Sequence, residues 1–334
     1  MKLHRLAAST WPVRLFAILA LALLSIGGDA SERLAFIDLT HEIPTFLPLA
    51  DDPTKPDLSR PVGHSRPIAG FYHQAVLYPP DKWPTSDGYF DSAALLIQEH
   101  NGTSFNSPNH YVNDAGSLER GGTPVDERKS AEALTIEQLT GPIVFIDVSG
   151  RVAAELAKNG GKPSANPSIT DFSDTSPATV RAEDIHAVAD QIDDGVWLVA
   201  RLGWEQFYGS GIEDWDSSPY VNALNHPGFT GEAIDALIAV MEAKNVRISG
   251  IAADSLSTDS GQGAKGTDER WSNAWPAHVR LYQRDILIVE NLANLSALAD
   301  AVSTSRACSL VVGATKHVGG TGGPARVVAV CERG

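Results

Sequence analysis

Residues His100 to His110 read HNGTSFNSPNH, and the reading of this stretch decides how the rest of the chain is understood. It sets two histidines, a Gly and a Pro among short hydroxyl and amide side chains, a density of ligand-type groups that a connecting loop rarely needs. An apolar run, Ala93 to Ile97, precedes it and has the character of the end of a buried element. Gly102 permits a backbone turn and Pro108 stops a regular continuation, so the spacing predicts a tight loop on which His100, Ser104, Asn106 and His110 converge. On residue types alone a second reading stands beside it, a polar loop whose Asn, Ser and His side chains satisfy their own backbone.

Outside the loop, periodicity alternates between strand and helix. Strands are predicted at Leu34 to Leu39, Ile143 to Val148, Val196 to Leu202, Val246 to Ala252 and Ile286 to Glu290. Helices are predicted at Arg181 to Ile192 and from about Gly231 to Lys244. In the second, Thr230 is placed as N-cap and Ile234, Leu237, Ile238 and Met241 share one face. Residues 151–180, rich in Pro, Ser, Asn and Asp, read as a surface insertion. There is no internal repeat.

The first thirty residues differ in character. Lys2, Arg5 and Arg14 precede the apolar run Leu15 to Ile26, and Gly28 and Ala30 stand at small-residue cleavage positions. This predicts a secretory signal cleaved near Ala30, too short for a convincing membrane span, with a retained anchor as the alternative. Residues 31–334 then form one domain that is secreted or periplasmic. The full chain has 26 Lys/Arg and 41 Asp/Glu, and setting residues 1–30 aside takes its charge to about −17. Such a surplus of acid repels a phosphate backbone and an anionic membrane, so nucleic acid and stable membrane insertion are not expected.

Both cysteines fall near the end. Cys308 opens the apolar run before SLVVGA and Cys331 closes RVVAVC, with a glycine-rich turn near Gly319 and Gly320 between them. In a hairpin about that centre the two face each other, and an oxidising compartment would join them; two small buried thiols are the other reading.

HNGTSFNSPNH resembles HxGTHxDxPxH, the signature of the cyclase-type metal-dependent hydrolases, a family that includes bacterial kynurenine formamidases and isatin hydrolases. Asp38 to His41 resemble its opening DLTHE. Further similar segments are Arg201 to Trp204 (RLGW), Pro227 to Phe229, Asp254 to Asp259 (DSLSTD), Val289 to Leu295 (VENLANL) and Gly319 to Arg326 (GGTGGPAR). In order and spacing they cover nearly all of residues 36–331. The resemblance implies an α/β fold of the compact swivelling β/β/α type, with a mixed central sheet and flanking helices, that forms a homo-oligomer.

It also implies a metal site. The family's loop supplies His, His and Asp, and a later His with a Glu twelve residues on completes a second metal position. This chain has His100, His278 and Glu290, with His110 at the position of the proton-transferring histidine, but Ser104 and Asn106 stand where the family has its second His and its Asp. Two imidazoles and one carboxylate suffice for one catalytic ion with an open position for water. The expected cofactor is therefore one divalent ion, Zn or Mn, with Ser104 and Asn106 as weak neutral donors, since neither can bridge two dications.

The implied function is metal-assisted hydrolysis of a small, possibly cyclic or aromatic, amide such as a lactam or formamide. A catalytically inactive small-molecule binding protein is the alternative, because ligand losses commonly cost metal affinity. Phe71, Tyr72, Trp83, Phe105, Tyr111 and Trp204 are candidates for an aromatic pocket wall, each equally readable as core. Asp254 and Asp259 are candidates for holding the histidines. His41 and His226 are read as packing or capping residues and Asp147 as structural. GTSFN lacks the second Gly of a nucleophile elbow, and GGTGGP lacks the Lys-Ser/Thr of a P-loop.

Overall fold

The computed structural model describes residues 33–42, 99–110, 127–209, 218–261, 275–304 and 307–333, with the backbone alone of 71–73 and 94–96. The signal predicted at 1–30, Trp83, Tyr111 and the side chains of Phe71 and Tyr72 lie outside them. Among the described residues no helix is long and apolar enough to cross a membrane.

The strands in chain order are β1 (Leu34–Asp38), β2 (Phe71–His73), β3 (Ala94–Leu96), β4 (Ser104–Asn106), β5 (Thr140–Asp147), β6 (Trp197–Arg201), β7 (Gly250–Ala253), β8 (Leu287–Glu290), β9 (Cys308–Ala314) and β10 (Gly322–Glu332). β2 and β3 pair with each other. The other eight form one mixed sheet in the order β1-β10-β4-β8-β7-β6-β5-β9. Because β10 also pairs with β9, the sheet closes into a seven-strand barrel on which β1 is an added strand. β5 to β8 run parallel, whereas β4, β9 and β10 join antiparallel. This is the mixed α/β architecture expected from the sequence, with closure of the sheet as an addition.

The parallel strands are buried on both faces, which is why β6, β7 and β8 are almost unbroken apolar runs. Alternation then sorts their side chains. Leu198, Ala200, Ile251, Ala253 and Ile288 pack with the helices α1 (Ser149–Ala157), α2 (Ala182–Ala187), α3 (Gly231–Lys244) and α4 (Pro276–Tyr282). Trp197, Val199, Ala252, Leu287 and Val289 face Leu310, Val312, Val327 and Ala329 of β9 and β10 across the barrel, where Leu295 and Leu298 of α5 (Leu295–Ser303) join them. α3 has the predicted bounds. Thr230 Oγ1 accepts the Ala233 N–H at 3.1 Å, and Asn245 ends the helix in the left-handed region at φ 54°.

Three expectations are corrected. The centre of HNGTSFNSPNH is not loop: Ser104–Asn106 forms β4 between β10 and β8, while Gly102, at φ 63°, makes the turn before it. Residues 151–180 are not a mere surface insertion, because Val152, Leu156, Phe172, Ala178 and Val180 belong to the core beneath the helices and only the stretch around 157–169 is largely exposed. The helix predicted from Arg181 to Ile192 ends at Ala187 and continues as a single 3-10 turn, Ala189–Gln191.

Cys308 and Cys331 lie opposite each other in the β9–β10 register and form a disulfide. It closes a loop with a sequence separation of 23 inside the barrel core, which corresponds to about 3 kcal/mol of lost unfolded-chain entropy. Replacing both cysteines with alanine is expected to lower the unfolding free energy by roughly that amount, measured by urea denaturation of oxidised wild type against the variant.

Candidate functional site

β4 and β8 build the floor of the site. Ser104 stands opposite Glu290, and Asn106 opposite Ile288, so the side chains of Ser104, Asn106 and Glu290 share one face of the sheet. The intervening Phe105 and Val289 point the other way and are wholly buried in the barrel core. A polar-apolar-polar triplet in β4 thus splits cleanly between site and core. Phe105, expected as a pocket wall, is a core residue for this reason. Trp204 is core too: its ring packs edge-on to Phe172 and Phe207, and its Nε1 donates to the Tyr220 carbonyl at 2.8 Å.

Over this floor α4 brings His278. The helix starts after Trp275, a left-handed residue with no capping side chain. Its exposed amides are satisfied from a distance: Asp259 accepts the backbone N–H of Ala277 at 2.6 Å and of His278 at 3.4 Å. The same carboxylate takes His278 Nδ1 at 2.5 Å, which leaves Nε2 facing Glu290 Oε1 at 3.5 Å. Burial opposes charge on the His278 ring, but the hydrogen bond and charge of Asp259 and the charge of Glu290 outweigh it and hold its pKa above the ordinary value.

Glu290 is itself pinned. Its Oε1 accepts the Thr258 N–H at 3.0 Å and its Oε2 accepts from the Asn106 amide at 3.0 Å. Asn106 in turn presents its Oδ1 to His100 Nδ1 at 2.6 Å. His110 lies over His100 with ring centroids 3.8 Å apart, and 6.0 Å from His278; its backbone N–H closes a turn on the Ser107 carbonyl at 2.9 Å. All six residues singled out in the sequence, His100, Ser104, Asn106, His110, His278 and Glu290, therefore meet at one place.

Asp254, the other candidate for holding the histidines, does not touch them. It accepts the backbone N–H groups of Leu202, Trp204 and Glu205 and so shapes the RLGW turn. Burial raises its pKa to about 6 against those hydrogen bonds. A carboxyl with a raised folded-state pKa contributes most below its unfolded pKa and loses that contribution as pH rises through about 6. The stability of wild type relative to Asp254→Asn is therefore expected to increase by about 2 kcal/mol as pH falls from 7 to 4, checked by denaturant unfolding at both values.

Trp275, Leu224, Leu256 and Ser257 join His100, His278 and Glu290 around a cavity of about 40 Å³, the scale of an ion with a water. Trp275 and Tyr282 both meet the His278 ring edge-on. Neither carries a signal in sequence, because only the turn of α4 brings them to the histidine. His41 stacks on Tyr208 at 3.7 Å, and burial lowers its pKa to about 4, in keeping with a packing role. Asp147 is structural, accepting from Ser149 and Arg201.

His100, His278 and Glu290 are groups of the type that hold a divalent metal ion. Among the described residues, no three of His, Cys, Asp and Glu are gathered as a ready-made cage. The oxygens of Asn106 and Ser104 complete the set. Ser104 Oγ is wholly buried with no hydrogen-bond partner and lies across from Glu290 on the cavity face. A buried hydroxyl left unsatisfied costs about 1–3 kcal/mol, so it marks a place for a further group. Two imidazoles, one carboxylate and two neutral oxygens fit one divalent ion and lack the carboxylate needed to bridge two.

Comparison with known proteins gives a consistent result. The sequence profile of the Cyclase family, described as a putative cyclase, matches residues 37–260. The isatin hydrolase of Roseibium aggregatum is 27% identical over 254 residues, covering 74% of this chain and 78% of that protein. Among solved structures, isatin hydrolase A from Labrenzia aggregata bound to benzyl benzoate aligns with a TM-score of 0.61 at 21% identity over 95% of this chain and all of that one. An isatin hydrolase bound to the product analogue thioisatinate gives 0.59 at 22% identity over 96% and 98% of the two chains. At these identities the structural likeness is one of fold.

Proposed function

This chain belongs to the Cyclase family, and from that premise we propose that it is a hydrolase of a small cyclic aryl amide, a lactam of the isatin class, that uses one divalent metal ion, Zn or Mn. The observation that carries the reading is a cavity lined by His100, His278 and Glu290, with Ser104 and Asn106 on the same sheet face as Glu290 and His110 stacked on His100. His100, His278 and Glu290 would hold the ion, with Asn106 and Ser104 as neutral oxygens beside it. When bound, such an ion polarises a carbonyl and makes water nucleophilic near neutral pH.

The chain's own groups carry the rest. Asp259 orients His278 so that Nε2 is offered to the cavity, and Thr258 and Asn106 fix both oxygens of Glu290. The indole of Trp275 stands beside His278 as an apolar surface for an aromatic ring. His110 takes the proton lost by the attacking water on an imidazole nitrogen and returns it to the amide nitrogen. The water oxygen adds to the carbonyl carbon, the C–N bond breaks, and the lactam opens to an amino-carboxylate.

Export through the leader at 1–30 is part of the same proposal. The Cys308–Cys331 disulfide supports it, because such bonds persist in oxidising compartments. So is assembly with further copies, which the exposed Phe36 of β1 and Val311 of β9 favour.

The test is elemental analysis of the protein, never exposed to chelator, alongside hydrolysis of isatin and other lactams and formamides. About one ion per chain with ring-opening activity is the expected result. A protein with neither, after Zn²⁺ or Mn²⁺ is supplied, would be a ligand-binding relative without catalysis. Because the raised pKa of His278 makes a proton compete for its ring, ion affinity is expected to rise with pH and fall on acidification, measured by chelator competition between pH 6 and 9.

A further inference from the structure

The GGTGGP turn, which the proposed chemistry leaves unused, wraps the side of His100 away from Glu290. Thr321 Oγ1 lies 3.1 Å from His100 Nε2. The same hydroxyl donates to Glu99 Oε2 at 2.6 Å, and the Thr321 backbone N–H reaches that oxygen at 3.2 Å. The other oxygen, Glu99 Oε1, meets His317 Nε2 at 2.5 Å. At Gly322 a Cβ would come within 2.5 Å of His100 Cε1 and of the Phe105 carbonyl, so only glycine lets the ring sit there. The turn is anchored to the loop it serves by Ser107, whose N–H donates to the Thr321 carbonyl and whose hydroxyl donates to the Gly320 carbonyl.

Directions follow from counting protons. An ionised carboxylate only accepts, and the Thr321 hydroxyl has one proton, which goes to Glu99. Thr321 Oγ1 can then only accept from His100, so Nε2 carries the hydrogen. At the other end Glu290 accepts from the Asn106 amide, so Asn106 turns its oxygen, a lone-pair group, on His100 Nδ1. Reversing the Asn106 amide moves the same conflict to Glu290. With the amide as placed, either a second ring proton on Nδ1 or a bound cation resolves it, and both leave the hydrogen on Nε2.

We propose that Glu99 and Thr321, with the Cβ-free Gly322 behind the ring, form a socket that fixes a proton on His100 Nε2 and turns Nδ1 to the Asn106 side, where a metal ion would bind it, which makes them positioning residues for the metal. His317 locks the second oxygen of Glu99 from the surface. The inference rests on the metal-dependent reading for its purpose but not for its geometry.

Long-range proton–nitrogen NMR on the full chain reads the geometry directly. In wild type His100 is expected to show a slowly exchanging proton on Nε2, lost in Thr321→Val and kept in Thr321→Ser. Zn²⁺ affinity by chelator competition is expected to fall about 10- to 100-fold in Thr321→Val and Glu99→Gln, with Thr321→Ser close to wild type. If Thr321→Val does not fold, as judged by thermal unfolding, Glu99→Gln carries both readouts. A wild-type His100 without a proton on Nε2, or folded variants with unchanged spectrum and affinity, would overturn the socket. Wild type that binds no Zn²⁺ but keeps the Nε2 proton would sink the metal-dependent reading and leave the socket standing.

Discussion

Glu290→Gln is expected to lose its bound ion and about a thousandfold or more in kcat/KM. The carboxylate is the one anion among the five donors, so its loss removes most of the negative charge that draws a dication into a buried cavity. A thousandfold corresponds to about 4 kcal/mol, the scale on which a metal stabilises developing charge. Shape is kept, because Gln retains an oxygen for the Thr258 N–H. Its amide nitrogen, however, meets either the Asn106 amide or the His278 side of the site. Elemental analysis and turnover on the same sample check the result: an ion retained at full stoichiometry would place the metal elsewhere.

His110→Ala is expected to lower kcat by about 10²- to 10⁴-fold while leaving the ion in place. The ring is half-buried and stacks on His100, and the chain that links His100, Asn106, Glu290 and His278 is complete without it. Its removal therefore costs a proton carrier and little of the donor set. Unchanged metal content with lost turnover separates this role from that of Glu290. If both fall together, His110 is holding His100 in place and the proton is carried by another group.

Much of this site was legible because its chemistry is written in residue type and spacing. The His278 and Glu290 pair was legible only through the family resemblance, which supplies the spacing of twelve, and both fall beyond the matched part of the family profile at residue 260. Local structure was legible where the signal is local. Thr230 caps α3, and a hairpin centred at Gly319 and Gly320 sets Cys308 against Cys331, because capping and hairpin register depend on neighbours in sequence.

Other features were decided only by tertiary structure, since their causes lie far away along the chain. Ser104 to Asn106 is too brief a stretch to signal a strand, with Phe105 its one strand-favouring residue, and becomes β4 because β10 and β8, some 180 to 220 positions later, supply hydrogen bonds on both edges. That pairing alone sends Phe105 into the barrel and Ser104 and Asn106 to the face that carries Glu290. Likewise α4 carries no cap in its own sequence, and Asp259 supplies one while setting the His278 ring. Composition and motif thus determined which groups this protein brings to its site. The closing of the barrel decided which way each faces, because a side chain's direction in a sheet is set by its partner strands and not by its own identity.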